Sequence, residues 1–138
     1  MSNLESDATV FHGQAAPVST YVTTDAVITI DPTATVRAAA TAIVEQSVGI
    51  LVIGTNDDVL AVVSERDIVR AVAEGRDLDT STVADIGSRE LVWLDVHNTI
   101  GDAAEEMMED YVRHTLVRDE GALVGVLSIR DVLSAYAT

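Results

Sequence analysis

The apolar positions of this chain come in blocks whose spacing changes from helix-like to strand-like and back. After Thr35, apolar residues fall at Val36, Ala39, Ala40, Ile43 and Val44. Steps of three and four predict an amphipathic helix with Thr35 as its N-cap. Two unbroken apolar runs follow, residues 50–53 and 59–63, joined by the polar stretch Gly54-Thr55-Asn56-Asp57-Asp58. Continuous rather than alternating apolar character predicts strands covered on both faces, and the short joint makes them an antiparallel pair. Ser64 then opens a second helix that runs from Glu65 to about Glu74, with Gly75 as its stop. Ahead of all this, residues 27–30 read as a strand ended by Asp31-Pro32, and residues 18–22 as a short helical turn.

The same order returns at a fixed offset. Val62-Val63-Ser64-Glu65-Arg66-Asp67 reappears as Val126-Leu127-Ser128-Ile129-Arg130-Asp131, an offset of 64 residues, and Val27-Ile28-Thr29-Ile30-Asp31 aligns without a gap to Leu91-Val92-Trp93-Leu94-Asp95. The second copy opens on a helical turn at 83–86 and a strand at 91–94. Thr99 and Asp102 form a capping box for a helix with Ile100, Ala103, Ala104, Met107, Met108, Tyr111 and Val112 on one face. A strand pair at 115–117 and 122–127 and a last helix lined by Ile129, Val132, Leu133 and Tyr136 complete it. Trp93, in mid-strand, is expected in the core. The chain is therefore a tandem duplication of a β-α-β-β-α unit, α/β in class with mixed sheets. Its divisions are a tail at 1–16, a first unit at 17–75, a linker at 76–82 and a second unit at 83–138.

Composition changes the picture in one respect. There are 23 acidic residues against 8 basic, net −15, and every basic residue is an arginine. So negative a surface argues against nucleic acid and anionic membranes as partners. It fits a cytoplasm of high salt, where self-repulsion among carboxylates is screened, and resembles proteins of salt-loving archaea. No apolar stretch reaches 18 residues and the N-terminus lacks a signal pattern, so the expectation is a cytoplasmic protein. With no cysteine, and with His12, His97 and His114 in no ligand spacing, no metal site is expected. No nucleophile elbow or phosphate-binding glycine loop is present, so no enzymatic activity is expected either.

A duplicated β-α-β-β-α unit, with an apolar strand ending in Ser-x-x-Asp ahead of a helix, resembles a tandem pair of CBS domains. The resemblance covers the chain from about residue 17 onward. It implies a regulatory sensor that binds AMP, ADP, ATP or S-adenosylmethionine in clefts between the two units. It also implies a disc-like homodimer and an action in trans on a protein effector that no residue names. Carried over residue by residue, Ser64 and Asp67, and Ser128 and Asp131, match ribose-contacting positions. Thr23 to Val27 and Gly87 to Leu91 match the wall on which adenine lies, and Arg113 and His114 match positions facing phosphates. Ala61 stands where the motif has the glycine that Gly125 keeps, and Gly49-Ile50 stands where the second copy has Arg113-His114. The resemblance therefore favours one good site, the one with Asp131.

A carboxylate suits the cis hydroxyls of ribose because it accepts two hydrogen bonds, each strengthened by its charge. It repels phosphate, so the phosphates belong near Arg66, Arg130, Arg113 or His114. Ser-x-x-Asp before a helix is equally a capping box, and capping alone accounts for both copies. The rival reading is a ligand-free dimerisation and protein-interaction module.

Overall fold

The structure is a computed structural model and describes residues 12–22 and 27–137. They fall into two compact units: residues 27–91 make one, and residues 12–22 with 92–137 make the other.

In the unit of residues 27–91, β1 (Thr29–Ile30), β2 (Ile50–Gly54) and β3 (Val59–Ser64) form a sheet in that order, with β1 parallel and β3 antiparallel to β2. The apolar run of β2 lies in the middle of the sheet and is buried from Ile50 to Ile53. The run of β3 alternates instead, and Leu60 is exposed, so this strand is covered on one face only. That corrects the expectation of two strands covered on both sides. α2 (Val36–Gln46), capped by the Thr35 hydroxyl, and α3 (Glu65–Ala73) pack with the sheet around Ala39, Ile43, Leu51, Ile53, Ala61 and Val63. α3 ends before Gly75, whose φ of +75° suits the absence of a side chain.

In the other unit, β4 (Trp93–Asp95), β5 (His114–Asp119) and β6 (Ala122–Ser128) repeat the sheet and its pairing senses. α5 (Ile100–Asp110) and α6 (Ile129–Ala137) cover it around Leu94, Ile100, Ala103, Met107, Val117, Leu127, Val132 and Ala135. Several apolar residues expected on the inner faces point out instead. Val44, Met108, Tyr111, Leu133 and Tyr136 are exposed, because each lies one or more helical steps beyond the buried stripe. α5 stops at Asp110, and Tyr111 caps it in the left-handed conformation. Trp93 is half-buried rather than core, with the Arg118 guanidinium 5.5 Å from its ring centroid.

The short leading segments are exchanged between the two units. The turn at Val18–Thr20, entered from α1 (His12–Ala15), puts Val18 into the core of residues 92–137. Its N–H donates to the Asn98 carbonyl at 2.8 Å, and the Ile100 N–H donates to Ala16 at 2.9 Å. The matching turn of the second copy, α4 (Val83–Ile86), puts Val83 into the core of residues 27–91. There the Val83 N–H donates to Ala34 at 2.8 Å, and the Val36 N–H to Ser81 at 3.0 Å. Each turn offers one buried valine and a bridging strand edge, so each copy's leading segment completes the hydrophobic core of the other.

Candidate functional site

The site is built where β6 hands over to α6. Ser128, the last residue of β6, lies opposite His114 in register, and the Ile129 N–H donates to the Arg113 carbonyl at 2.8 Å. Antiparallel pairing therefore holds the Arg113-His114 pair beside the helix N-terminus that carries Arg130 and Asp131. Asp131 Oδ2 accepts from the Ser128 N–H at 2.8 Å and from the Ser128 hydroxyl at 2.9 Å. In return Ser128 Oγ accepts from the Asp131 N–H at 3.2 Å. The capping box is thus fully formed. Asp131 Oδ1 makes no hydrogen bond among the described residues, and Arg113 and Arg130 are exposed with no ion pair among them.

The first copy repeats the frame with different fittings. Ser64 lies opposite Ile50, and the Glu65 N–H donates to the Gly49 carbonyl at 3.0 Å. Asp67 Oδ2 accepts from the Ser64 N–H at 2.8 Å and from its hydroxyl at 3.1 Å. Asp67 Oδ1 is engaged by Arg70 at 3.4 Å, so both its oxygens have partners. Arg66 is exposed. No cation stands at the Gly49-Ile50 position, and of the two arginines here, Arg66 and Arg70, the second is spent on Asp67.

Thr23 lies outside the described residues. Val27 leads into β1, where the Ile28 carbonyl accepts from Val52 at 2.9 Å. Gly87 and Leu91, expected on the wall that adenine lies against, belong to the unit of residues 27–91. Gly87 ends α4 against β3: Ser88 and Val62 exchange two backbone hydrogen bonds of 2.8 and 3.0 Å. A Cβ at Gly87 would stand 2.6 Å from Ile53 Cδ1 and 2.9 Å from the Val62 carbonyl oxygen. Only glycine lets the chain approach β3 so closely.

Two polar features escaped the sequence reading. Asp85 reaches back to the Thr82 N–H at 3.0 Å, a Thr-x-x-Asp pattern legible in the sequence and passed over as linker. Asn98 accepts from the Asp95 N–H at 2.8 Å and donates to Asp102, which itself accepts from the Thr99 N–H at 2.9 Å. The backbone donors hold the Asp102 and Asp85 carboxyls below the usual range. No group of three or more metal-ligating side chains occurs among the described residues, and none of their helices is long and apolar enough to cross a membrane.

Comparison with known proteins agrees with this architecture. A CBS domain protein from Pyrobaculum aerophilum, solved in complex with AMP, superposes with a TM-score of 0.76 at 34% identity, covering 88% of this chain and 98% of that one. A conserved protein from Pyrococcus horikoshii superposes with a TM-score of 0.82 at 28% identity, covering 91% and 95%. In sequence, a 17.7 kDa protein of Acidianus ambivalens is 32% identical over 123 residues, 88% of this chain and 73% of that protein. The CBS domain profile matches residues 18–74 and again residues 83–138. The chain belongs to the CBS domain family and carries that domain twice.

Proposed function

We propose that the chain is a regulatory sensor that binds an adenosine-containing ligand (AMP, ADP, ATP or S-adenosylmethionine) at its second copy. It acts without catalysis in the cytoplasm, reporting ligand level to a protein effector in trans and associating with a second copy of itself. The observation that carries the reading is the Asp131 carboxylate: one oxygen caps α6 while the other has no hydrogen-bond partner among the described residues, at the helix start that the β5–β6 register sets beside Arg113 and His114. An unengaged carboxylate oxygen can accept a ribose hydroxyl, and the nearby guanidinium groups suit an anionic phosphate. In a chain of net charge −15, only such local cations hold an anion at all. The AMP complex of the Pyrobaculum aerophilum relative supports the ligand class.

Ser128 contributes the hydroxyl of the site. By the family resemblance alone, Thr23 to Val27 and Gly87 to Leu91 are the proposed adenine-facing segments. Ser64, Arg66 and Asp67 make a weaker site, because Arg70 occupies the oxygen that Asp131 leaves open. The sequence units at 17–75 and 83–138, with the tail at 1–16 and linker at 76–82, are the proposed duplicated modules.

The test is calorimetric titration with the four ligands on the wild-type chain and on Asp131→Asn and Asp67→Asn. Asparagine keeps a side-chain acceptor for the cap and removes the charge. The expected result is an affinity at least tenfold weaker for Asp131→Asn, as loss of a charged hydrogen bond of about 1.5–3 kcal/mol requires, with little change for Asp67→Asn. No heat or thermal shift with any of the four ligands would overturn the sensor reading.

A further inference from the structure

The two copies of the helix cap are internal controls for each other, and their contacts agree until the last oxygen. In both, the aspartate Oδ2 accepts from the serine N–H at 2.8 Å and from the serine hydroxyl, at 3.1 Å for Ser64 and 2.9 Å for Ser128. In both, the serine Oγ accepts in return from the aspartate N–H, at 3.4 and 3.2 Å. The difference lies at Oδ1. In the first copy an Arg70 N–H donates to Asp67 Oδ1 at 3.4 Å, whereas Asp131 Oδ1 has no hydrogen-bond partner among the described residues.

A single position accounts for the difference. Arg70 stands three residues beyond Asp67 on α3, where side chains of neighbouring turns meet. The residue 64 positions further on, three beyond Asp131 on α6, is Ser134. A serine is too short to reach back along the helix to the carboxylate and carries no charge. Both positions face water: the Arg70 side chain is 57% exposed, and Ser134 is exposed too. The core holds neither, so either residue type can stand at the other's place without moving the fold. Asp67, by contrast, keeps only 13% of its side chain exposed. With so little of the carboxylate open, the guanidinium stands in the approach to Oδ1 that a ligand hydroxyl would use. It also imitates what a ribose would bring, a hydrogen-bond donor, with a charge added and with the advantage of being tethered.

We infer that Arg70 is an autoinhibitory occupant of the first copy's site, and that the residue one turn beyond the cap aspartate decides which copy takes the ligand: arginine at 70 shuts one, serine at 134 leaves the other open. The inference rests on the adenosine-ligand reading above and adds to it the means by which one of two like sites is held closed. The contact is a single N–H on one oxygen, so a point charge is what closes the site. An ion pair this exposed is weak, and the closure is correspondingly worth up to about fivefold in affinity.

Reciprocal substitution tests it. Calorimetric titration with AMP, ADP, ATP and S-adenosylmethionine is run on the wild-type chain, on Arg70→Gln and Arg70→Lys, and on Ser134→Arg and Ser134→Gln, with circular dichroism melts to check that each variant folds. Glutamine supplies length without charge and lysine keeps the charge, which separates ion pairing from bulk. The expected result is a second binding event about two- to fivefold tighter in Arg70→Gln than in wild type or Arg70→Lys, and first-event binding weaker by about the same factor in Ser134→Arg but not in Ser134→Gln. Measured against wild type in the same salt, the Ser134→Arg loss should shrink in ~1 M KCl, where an exposed ion pair is screened and a packing defect is not. If Ser134→Arg binds as tightly as Ser134→Gln, or more tightly because the new arginine takes a phosphate instead, the inference fails while the sensor reading stands. An Arg70→Gln chain that binds as wild type does also refutes it. A wild-type chain that binds none of the four ligands overturns the sensor reading and this inference with it.

Discussion

Among the described residues Thr115 is the one buried polar side chain, and replacing it should make the protein more stable. It stands in β5, the middle strand of its sheet, opposite Leu127 in register and two residues from Val117, both core residues. It is 1% exposed, and its hydroxyl has no hydrogen-bond partner among the described residues. The equivalent position of the first copy is Leu51, fully buried and satisfied by apolar neighbours. Thr115→Val swaps the hydroxyl for a methyl of nearly the same shape, so it opens no void. It removes a desolvation cost of about 1–3 kcal/mol for an unmatched hydroxyl. At roughly 2–4 °C per kcal/mol for a chain near this size, the melting midpoint should rise by about 2–12 °C. Thr115→Ser is the control: it keeps the hydroxyl and deletes a methyl, which costs about 1 kcal/mol. Circular dichroism melts should therefore rank valine above threonine above serine at this position. A valine variant no more stable than wild type would refute the reasoning, because it would mean the hydroxyl is held by something that compensates its burial.

Three further outcomes follow from the same geometry. Gly87→Ala should cost about 1–3 kcal/mol in urea unfolding, since its Cβ would press on two carbonyl oxygens, of Val62 and Val83, that cannot move aside. Gly75→Ala, in open space but at φ +75°, should cost only about 1 kcal/mol; a loss at Gly87, whose φ of −70° is ordinary, no larger than this would show that its neighbours give way and that crowding does not hold the site. Raising KCl from ~0.1 to ~1 M should raise the melting midpoint, because the Debye length falls from about 10 to about 3 Å among carboxylates that outnumber arginines almost three to one; a flat response would remove salt screening from the account. Acidification should first stabilise and then destabilise the fold. Glu106, its folded pKa raised mainly by the hydrogen bond with Asp110, is destabilising when ionised, so stability returns as pH falls through that value toward the ordinary glutamate value of about 4.3. Asp102 and Asp85, their folded pKa values lowered by backbone N–H donors, contribute stability that is lost below the ordinary aspartate value of about 3.9. A melting midpoint that only falls from pH 7 downward in dilute buffer would refute the Glu106 half of the argument, and Glu106→Gln should flatten the initial rise.

The element order was legible because period and punctuation agree in this chain. Thr35, Ser64, Thr99 and Ser128 each stand at a helix start, and Gly75 at a stop. What periodicity cannot report is whether a neighbour covers an apolar position. Leu60 is apolar like its neighbours in β3, but its strand is at the edge; Met108 and Tyr111 follow Met107 in the helical count, but only Met107 reaches the core. Trp93 was misplaced for a related reason: a large ring can lie half out of the sheet when a cation such as Arg118 stands over it. At the site, local sequence marked Ser128 and Asp131 because the cap is a contact between neighbours in the chain. Arg113 and His114 were joined to them only through family likeness, and the register between β5 and β6 supplies the physical link. The exchange of leading segments was not legible at all, because a single valine in a short turn carries no address.

The two copies share a frame and divide the labour within it. At three places on and beside the middle strands the first copy is apolar or glycine where the second is polar: Leu51 against Thr115, Ile50 against His114, Gly49 against Arg113. The same asymmetry reaches the aspartates, since Arg70 closes the ring of partners around Asp67 and no arginine does so for Asp131. A duplicated fold under stability alone would let both copies drift toward the Leu51 solution, because every unmatched polar group is a standing cost. Among the described residues the unmatched hydroxyl of Thr115 is such a cost in the second copy. It also makes the reciprocal substitution informative: Leu51→Thr should cost about 2–5 kcal/mol through lost burial and an unmatched hydroxyl and leave nucleotide affinity unchanged, because the first copy's strand serves as a brace.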